Sequence, residues 1–532
     1  MSIDARLAAW GPRVTALAAF VLFAVLAPPG PAWLDAGELG TAGVGLGVPH
    51  ASGYPLWCVL AKVASLLPLG ELAWRIHLLS ALTGALAVLW TARLVIAAGR
   101  DDAASAWGGV AAGALLAVAL LFLRQATVTE VYAPSVALLA LAALGVERVG
   151  AGAGPRWGLG LAMVCGLGLA IHLSFAWIGP VVAALMVVRL RRGARFPLLA
   201  PAMTVLVACG AYAYLPARAA GAPAIDVGHP RTLGAMIAHV AGDAARTGFT
   251  DRMLPGGAAL RDAASRHATD VADSLGPLGV IAALAGLAAL WRRRRTWWTA
   301  ATVTTVAALD AIYAVWINPS GLPDWQCGTP LVWAGAVAAG AGVAALTRMA
   351  GRFAWIGGAP VVAMCVLPAA ALSLPAIAPA SRGDAPRGWS EAALAQAPAG
   401  ALVVPSSDSL AFGLIYLTLV EGARPDLAIV PAPWLDDARY TRGELTRAGA
   451  ADLATAPALR AALAGTARAI LIEPGAGVDV PGRDVVAAAP LTPLAPPGRP
   501  PGIRGSPGPA RWPCCTAPTP RIARRAWSWP GP

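Results

Sequence analysis

Apolar runs of around 20 residues, separated by short polar links, dominate the first 375 positions of the chain. They centre on residues 14–28, 74–98, 105–123, 131–147, 157–190, 198–215, 275–291, 297–316, 329–347 and 353–374. Most have the length an α-helix needs to cross about 30 Å of hydrocarbon. The run at 157–190 is too long for one span, since its 34 residues would make a helix of about 51 Å. It also carries Arg156 at one end and Arg189 to Arg195 at the other. A break near "IHLSFAW", residues 171–177, turns it into two short spans and returns both basic ends to one side. The pattern predicts an all-α polytopic membrane protein with about eleven transmembrane helices over residues 1–375. Its two large polar interruptions are a first loop, 29–73, and a later loop, 216–274.

Beyond residue 375 the period changes. "ALVVP" (401–405), "LAIVP" (427–431) and "RAILIE" (468–473) read as short strands between helical stretches, which predicts a small α/β domain over 380–488. Residues 491–532 are rich in Pro and Arg, contain no acid and have no periodicity. Such a segment cannot bury a core, and it reads as a disordered tail or a frameshifted end.

Composition agrees with a membrane chain: 57% of residues are hydrophobic and 13% charged, against roughly 25% charged in soluble domains. The net charge of +12 would suggest a nucleic-acid partner if it covered one soluble face, but it does not. Sixteen arginines fall at the ends of the apolar runs or in the short segments beside them, among them Arg6, Arg13, Arg93, Arg148, Arg292 to Arg295 and Arg348. Short basic loops stay in the cytoplasm. With eleven spans and a cytoplasmic N-terminus, every one of these clusters lies inside, whereas loops 29–73 and 216–274 and the C-terminal domain lie outside, or in the periplasm of an inner-membrane protein. A cleaved signal peptide is the alternative reading of the first run. The seven cysteines show no metal-like spacing and read as structural or incidental.

The chemistry begins where the first span ends, at "LDAGELGTAGVGLGVPHASGYPL", residues 34–56. Asp35 and Glu38 have two readings. As N-cap and N3 residues they would form a capping box that satisfies free N–H groups at a helix start; alternatively, one carboxylate at the membrane surface serves as a general base. Gly43, Gly45 and Gly47 lack the βαβ context of a dinucleotide site and fit close helix packing. His50 and Tyr54 flank a turn at "ASG". Asp310 lies inside an apolar run, and an intramembrane acid is a functional candidate by default. It is the residue that a rival reading, a secondary transporter or lipid flippase, would use, although no internal repeat supports that reading. A third reading makes the membrane domain a non-catalytic scaffold for the C-terminal domain.

Several stretches taken in order give a more specific indication: residues 35–56, "RIHLLSAL" (75–82), "ATVTEVYAPSVALLAL" (126–141), "GLGLAIHLS" (166–174), "YLPARAAGAPAIDVGHPRTLGAMIAHV" (214–240) and "VEGARPDLAIV" (420–430). Together they resemble the domain-of-unknown-function 2723 family, which is grouped with glycosyltransferase family 117 and the protein O-mannosyltransferase-like enzymes of the GT-C superfamily. The resemblance departs at Ala51 and Ser52, where relatives usually carry two prolines. It implies an integral-membrane, inverting glycosyltransferase that moves a sugar, mannose by kinship, from a polyprenyl-phosphate donor to a protein or glycan hydroxyl outside the membrane. By the same resemblance Asp35 is the catalytic base and Glu38 its partner, with His50 and Tyr54 at the substrate. Arg218 is read either as a donor to the lipid phosphate or as a snorkelling surface arginine. Glu130 is read as a catalytic group or as a first-turn acid favourable to the helix dipole, and His172 and His229 as lining the site. No cofactor is certain besides the lipid-linked donor; a divalent metal is compatible with this chemistry but nothing in the sequence indicates one.

Overall fold

The computed structural model describes residues 3–99, 102–243, 253–322, 325–349, 351–382, 384–435, 437–454, 463, 466–473 and 492–494. The chain divides into two compact units, residues 1–388 with 415–422, and residues 389–414 with 423–532.

The first unit is helical. It opens with α1 (Ile3–Leu26), α2 (Ala36–Gly45), α3 (Pro55–Ser65), α4 (Leu72–Ala98), α5 (Ala103–Val118), α6 (Leu120–Thr127), α7 (Tyr132–Gly150) and α8 (Pro155–Ile171). It continues with α9 (Gly179–Arg191), α10 (Ala200–Tyr212), α11 (Tyr214–Ala220), α12 (Leu233–Val240), α13 (Gly257–Trp291), α14 (Trp297–Ile312), α15 (Thr329–Met349) and α16 (Ala354–Arg382). Among the described residues nine helical segments are long and apolar enough to cross a bilayer, or ten when α5 and α6 count as one bent span. The seventeen-residue α8 is shorter than these. It ends at Ile171, and after His172 a 3-10 turn, Leu173–Ile178, leads into α9, so the long run divides where its length required.

Two breaks were not visible in the apolar pattern. The run at 105–123 bends by 67° between α5 and α6, where Ala119 is extended. Ser274 Oγ accepts the Leu121 N–H at 3.2 Å, which satisfies an amide that the start of α6 would otherwise leave open. In α13 the helix kinks at Gly276, whose φ of 68° suits glycine, next to Pro277. The sequence predicted loop up to residue 274; α12 and the first half of α13 are helical instead.

Membrane helices gain little from apolar burial against one another and instead pack through small residues. A Cβ placed on Gly108 of α5 would lie 2.5 Å from the Gly340 carbonyl of α15. Gly108→Val is therefore expected to force these backbones apart and cost about 1–3 kcal/mol, read as a lower Tm of the detergent-solubilised protein. Asp310 receives a simple explanation: its Oδ2 accepts the Leu331 N–H at 3.2 Å, so the carboxylate caps the N-terminus of α15.

The second unit holds a four-stranded sheet in the order β2-β1-β3-β4, with β1 (Leu402–Val404), β2 (Ala428–Ile429), β3 (Ile470–Ile472) and β4 (Thr492–Leu494). The first three strands are parallel, as strands joined by helices require. They coincide with the three predicted from sequence. β4 pairs antiparallel with β3, so residues 492–494, expected in the tail, belong to the sheet. The rest of 491–532 lies outside the described residues. Leu402, Val404, Ala428, Val430, Ile470 and Ile472 supply the centre of this unit's core.

Candidate active site

Helix α2 presents Asp35 at its N-terminus, but not in the capping box that the spacing allowed. The Asp35 side chain makes no cap hydrogen bond. Its Oδ2 instead accepts from Gln326 Nε2 at 3.3 Å and lies 3.9 Å from His50 Nε2. Glu38 turns toward the loop that follows α2, accepting the His50 N–H at 2.8 Å and the His50 Nδ1–H at 2.5 Å. The two acids are thus differently available: the Glu38 side chain is 0% exposed and that of Asp35 14%. The other end of α2 is held by cations. Lys62 Nζ donates to Val44 O at 2.8 Å, Arg218 Nε to Leu46 O at 2.6 Å, and Arg218 Nη2 to Gly45 O at 3.3 Å. Cations at the C-terminus and acids at the N-terminus both complement the helix dipole.

The hydrogen bonds fix the protonation of His50. Tyr54 Oη donates to Ala51 O at 2.8 Å, so it receives a proton from His50 Nε2 at 2.9 Å. Nδ1–H is already given to Glu38, so both ring nitrogens donate and the ring is an imidazolium. Burial opposes that charge, but Glu38 and Asp35, with a smaller contribution from Glu130, outweigh it and raise the His50 pKa to about 10. Burial, with the Asp35 and Glu38 charges, pushes the Tyr54 hydroxyl well above its ordinary value, so it stays a proton donor.

A second side of the site comes from the α6–α7 link. Glu130 precedes the N-cap Val131, and α7 starts at Tyr132, so this acid is not in the first turn of the helix. It is buried, with its N–H on Ser80 Oγ at 3.3 Å. Burial and the charge of Asp35 raise its pKa to about 8, with His50 partly offsetting them. His77 ties the two sides together: its Nε2–H donates to Gly30 O at 3.0 Å, and its Nδ1 accepts from Thr129 Oγ1 at 2.7 Å. One imidazole thereby anchors both the approach to Asp35 and the link carrying Glu130. His172 continues the wall. Its ring stacks on Tyr54 with centroids 5.8 Å apart and leans on Tyr132 at 4.9 Å. Burial and the positive His50 depress its pKa to about 4, and Nδ1 accepts the Ser174 N–H at 3.1 Å, which leaves the proton on Nε2.

These shifts carry a sign for stability. Glu130 and His50 both bind protons more tightly in the folded chain, so stability falls as pH rises, from 4.5 to 8 for Glu130 and from 6.5 to 10 for His50. Each group adds a slope of at most about 1.4 kcal/mol per pH unit. Glu130→Gln is expected to remove the lower window, so that Tm of the variant relative to the unaltered protein rises between pH 5 and pH 8.

The structure brings Asp35, Glu38, His50, Tyr54, Glu130 and His172 into one group. It does not place Arg218 there: α2 separates that guanidinium from Asp35 by ten residues, or about 15 Å. His229 sits with Asp226, Nδ1 to Oδ2 at 3.1 Å, in the segment whose Ile225 and Val227 pair with Val48. His229 and Arg218 thus brace the loop after α2 from its far side. Sequence reasoning missed Gln326, His77 and Ser80. "RIHLLSAL" held two of them as a matched stretch without a role, and Gln326 carried no signal, since only folding brings it across 291 positions to Asp35. Among the described residues, no three His, Cys, Asp or Glu side chains are grouped so as to hold a metal ion.

Comparison with known proteins points in one direction. Residues 35–194, under a third of the chain, match the family model of the protein O-mannosyl-transferase TMEM260 N-terminal domain. The chain is similar to the protein O-mannosyl-transferase TMEM260 of Mus musculus, 50% identical over 54 residues, which is 10% of this chain and 8% of that protein. It therefore matches only a small part of that relative's length. In structure it is similar to ArnT from Cupriavidus metallidurans bound to undecaprenyl phosphate, with a TM-score of 0.52 at 13% identity over 91% of this chain and 97% of that one. The apo state of the same protein gives a TM-score of 0.52 at 13% identity, covering 90% of this chain and 97% of that chain. The likeness shows an ArnT-like membrane fold.

Proposed function

We propose that the chain is a GT-C glycosyltransferase that moves a sugar from a polyprenyl-phosphate donor to a protein hydroxyl, with Asp35 as general base. Three supports converge: the family match begins at residue 35, the ArnT-like fold belongs to a protein described with undecaprenyl phosphate, and the site holds one partly accessible acid beside a fixed cation. That last observation carries the reading. Glu38 is sealed and committed to His50, whereas Asp35 retains surface at the N-terminus of α2. An acceptor hydroxyl is a weak nucleophile, and a carboxylate within hydrogen-bond reach takes its proton as the bond to the sugar C1 forms. The bond from C1 to the lipid phosphate breaks on the opposite face, with inversion, and the leaving phosphate keeps the electron pair. His50, cationic throughout, and Glu130, which carries a proton at neutral pH, offer positive charge and a donor to the charge that develops.

The acceptor meets the donor on the outer face of the membrane, with the N-terminus inside; mannose is the sugar that the O-mannosyl-transferase match suggests. A transporter or flippase reading leans on Asp310, but that carboxylate is spent on the amide of Leu331. The test is transfer from a radiolabelled polyprenyl-phosphate mannose to a serine- or threonine-containing peptide by the purified full-length protein. No transfer from this or other polyprenyl-phosphate sugars would overturn the proposal.

A further inference from the structure

Helices α1, α4, α7 and α8 part around a cavity of about 360 Å³ whose wall includes Arg13, Arg93, Arg148, Trp90, Trp157 and Leu89. It lies at the end of the bundle away from Asp35. Arg93 is sixteen residues beyond His77 on α4, and Arg148 sixteen beyond Tyr132 on α7, or about 24 Å along each helix. The three arginines come from three different helices and none forms an ion pair within 4 Å among the described residues, although the charge of Glu147 acts on Arg148. Arg13 Nη1 and Arg93 Nη2 each donate to Ala9 O, at 2.9 and 3.3 Å. Arg13 also lies over the Trp10 ring at 5.3 Å, and Arg148 over the Trp157 ring at 5.9 Å. By contrast Arg348, also on a membrane helix, is matched by Asp102 at 3.0 Å. Arg93 instead feels two like charges, Arg13 and Arg148.

A bias of arginine toward one membrane face explains basic links. It does not explain why arginines from three helices line one hollow beside two tryptophans when repulsion would spread them. Three unpaired forks suit phosphate oxygens, which they can grip bidentately. The surroundings select a lipid phosphate over a free one. Above Arg93 the same face of α4 carries Leu89 at the cavity and then Leu86 and Leu82, 37% and 50% exposed, at helical spacing. That exposed apolar strip gives an acyl chain somewhere to lie, while Trp90 and Trp157 are residues suited to the level of the head groups.

We propose that this cavity seats the phosphate head group of an anionic membrane lipid, with its chains along Leu86 and Leu82, separate from the Asp35 site and independent of the transfer reaction. The test uses the full chain in detergent, titrated with phosphatidylglycerol or phosphatidylcholine and read by native mass spectrometry and thermal shift. Phosphatidylglycerol is expected to be retained and to raise Tm, phosphatidylcholine to do neither, and millimolar inorganic phosphate to leave the adduct in place. Each arginine changed to glutamine is expected to weaken retention about fivefold, and Arg13→Gln/Arg93→Gln/Arg148→Gln together on the order of a hundredfold. If the triple variant does not fold, Arg148→Gln, whose side chain is exposed, serves alone. Equal retention by Arg148→Gln and the unaltered protein would overturn the site, and displacement of the lipid by inorganic phosphate would overturn the choice of a lipid.

Discussion

Asp35→Asn is expected to lower the rate of sugar transfer by about 100- to 10,000-fold, the range that a positioned base contributes, with Tm and donor binding nearly unchanged. Asparagine keeps the shape of the side chain and can still accept from Gln326 Nε2, so the contact at 3.3 Å survives. The Asp35 side chain caps no backbone N–H of α2, so helix stability does not depend on it. What is lost is the carboxylate's capacity to take a proton from the acceptor hydroxyl. The loss belongs in kcat, since an interaction made only as the proton leaves does not change ground-state binding. Gln326→Ala is the companion measurement: it frees the carboxylate from one anchor without removing it and is expected to cost far less than Asp35→Asn. A transfer rate for Asp35→Asn equal to that of the unaltered protein would remove Asp35 from the base role and leave the cluster without an accessible acid to replace it.

The membrane unit was legible because hydrocarbon imposes its own length scale. Runs of about 20 apolar residues have little choice but to span, and even the split at 171–177 followed from a length that one helix could not use. The bend at Ala119 was not legible, because it depends on Ser274 reaching an amide from another helix, and nothing local to residues 105–123 announces it. The strands of the second unit were readable as β-branched runs, whereas β4 was hidden in a Pro-rich context, where pairing with β3 decides the outcome. In the site, the acids and His50 stood close in sequence and were found together. Their division of labour was not readable: spacing alone favours a capping box, and only the return of the chain at His50 draws Glu38 away from the helix start. Arg218 was misplaced for a related reason. An arginine just past a span looks available for phosphate, but here the open carbonyls at the end of α2 claim it.

Glu38→Gln is expected to be the most destabilising single change in the first loop, at about 1–3 kcal/mol, because the carboxylate is wholly buried while its partner His50 keeps about a third of its surface in solvent and can relax toward it. Glu38 is wholly buried and accepts two hydrogen bonds from His50. Gln can accept one but carries no charge, so burial, which works against the imidazolium, then meets only the weaker pull of Asp35, joined by Glu130 once that acid ionises above about pH 8. The His50 pKa falls from about 10 toward or below 6.5, and the stability lost between those pH values in the unaltered protein should disappear from the variant. The sign is distinctive: Tm of Glu38→Gln lies below that of the unaltered protein near pH 6, and the gap narrows as pH rises toward 10. Adding His50→Gln removes the stranded cation, so the double variant should recover part of the loss, a coupling that a double-mutant cycle measures directly. Nitrogen NMR of the His50 ring provides the independent check, with both nitrogens protonated at pH 8 in the unaltered protein. A neutral ring at that pH, or a Tm gap that does not vary with pH, would mean that Glu38 holds the loop by shape alone and that the site lacks the fixed cation on which the proposed chemistry depends.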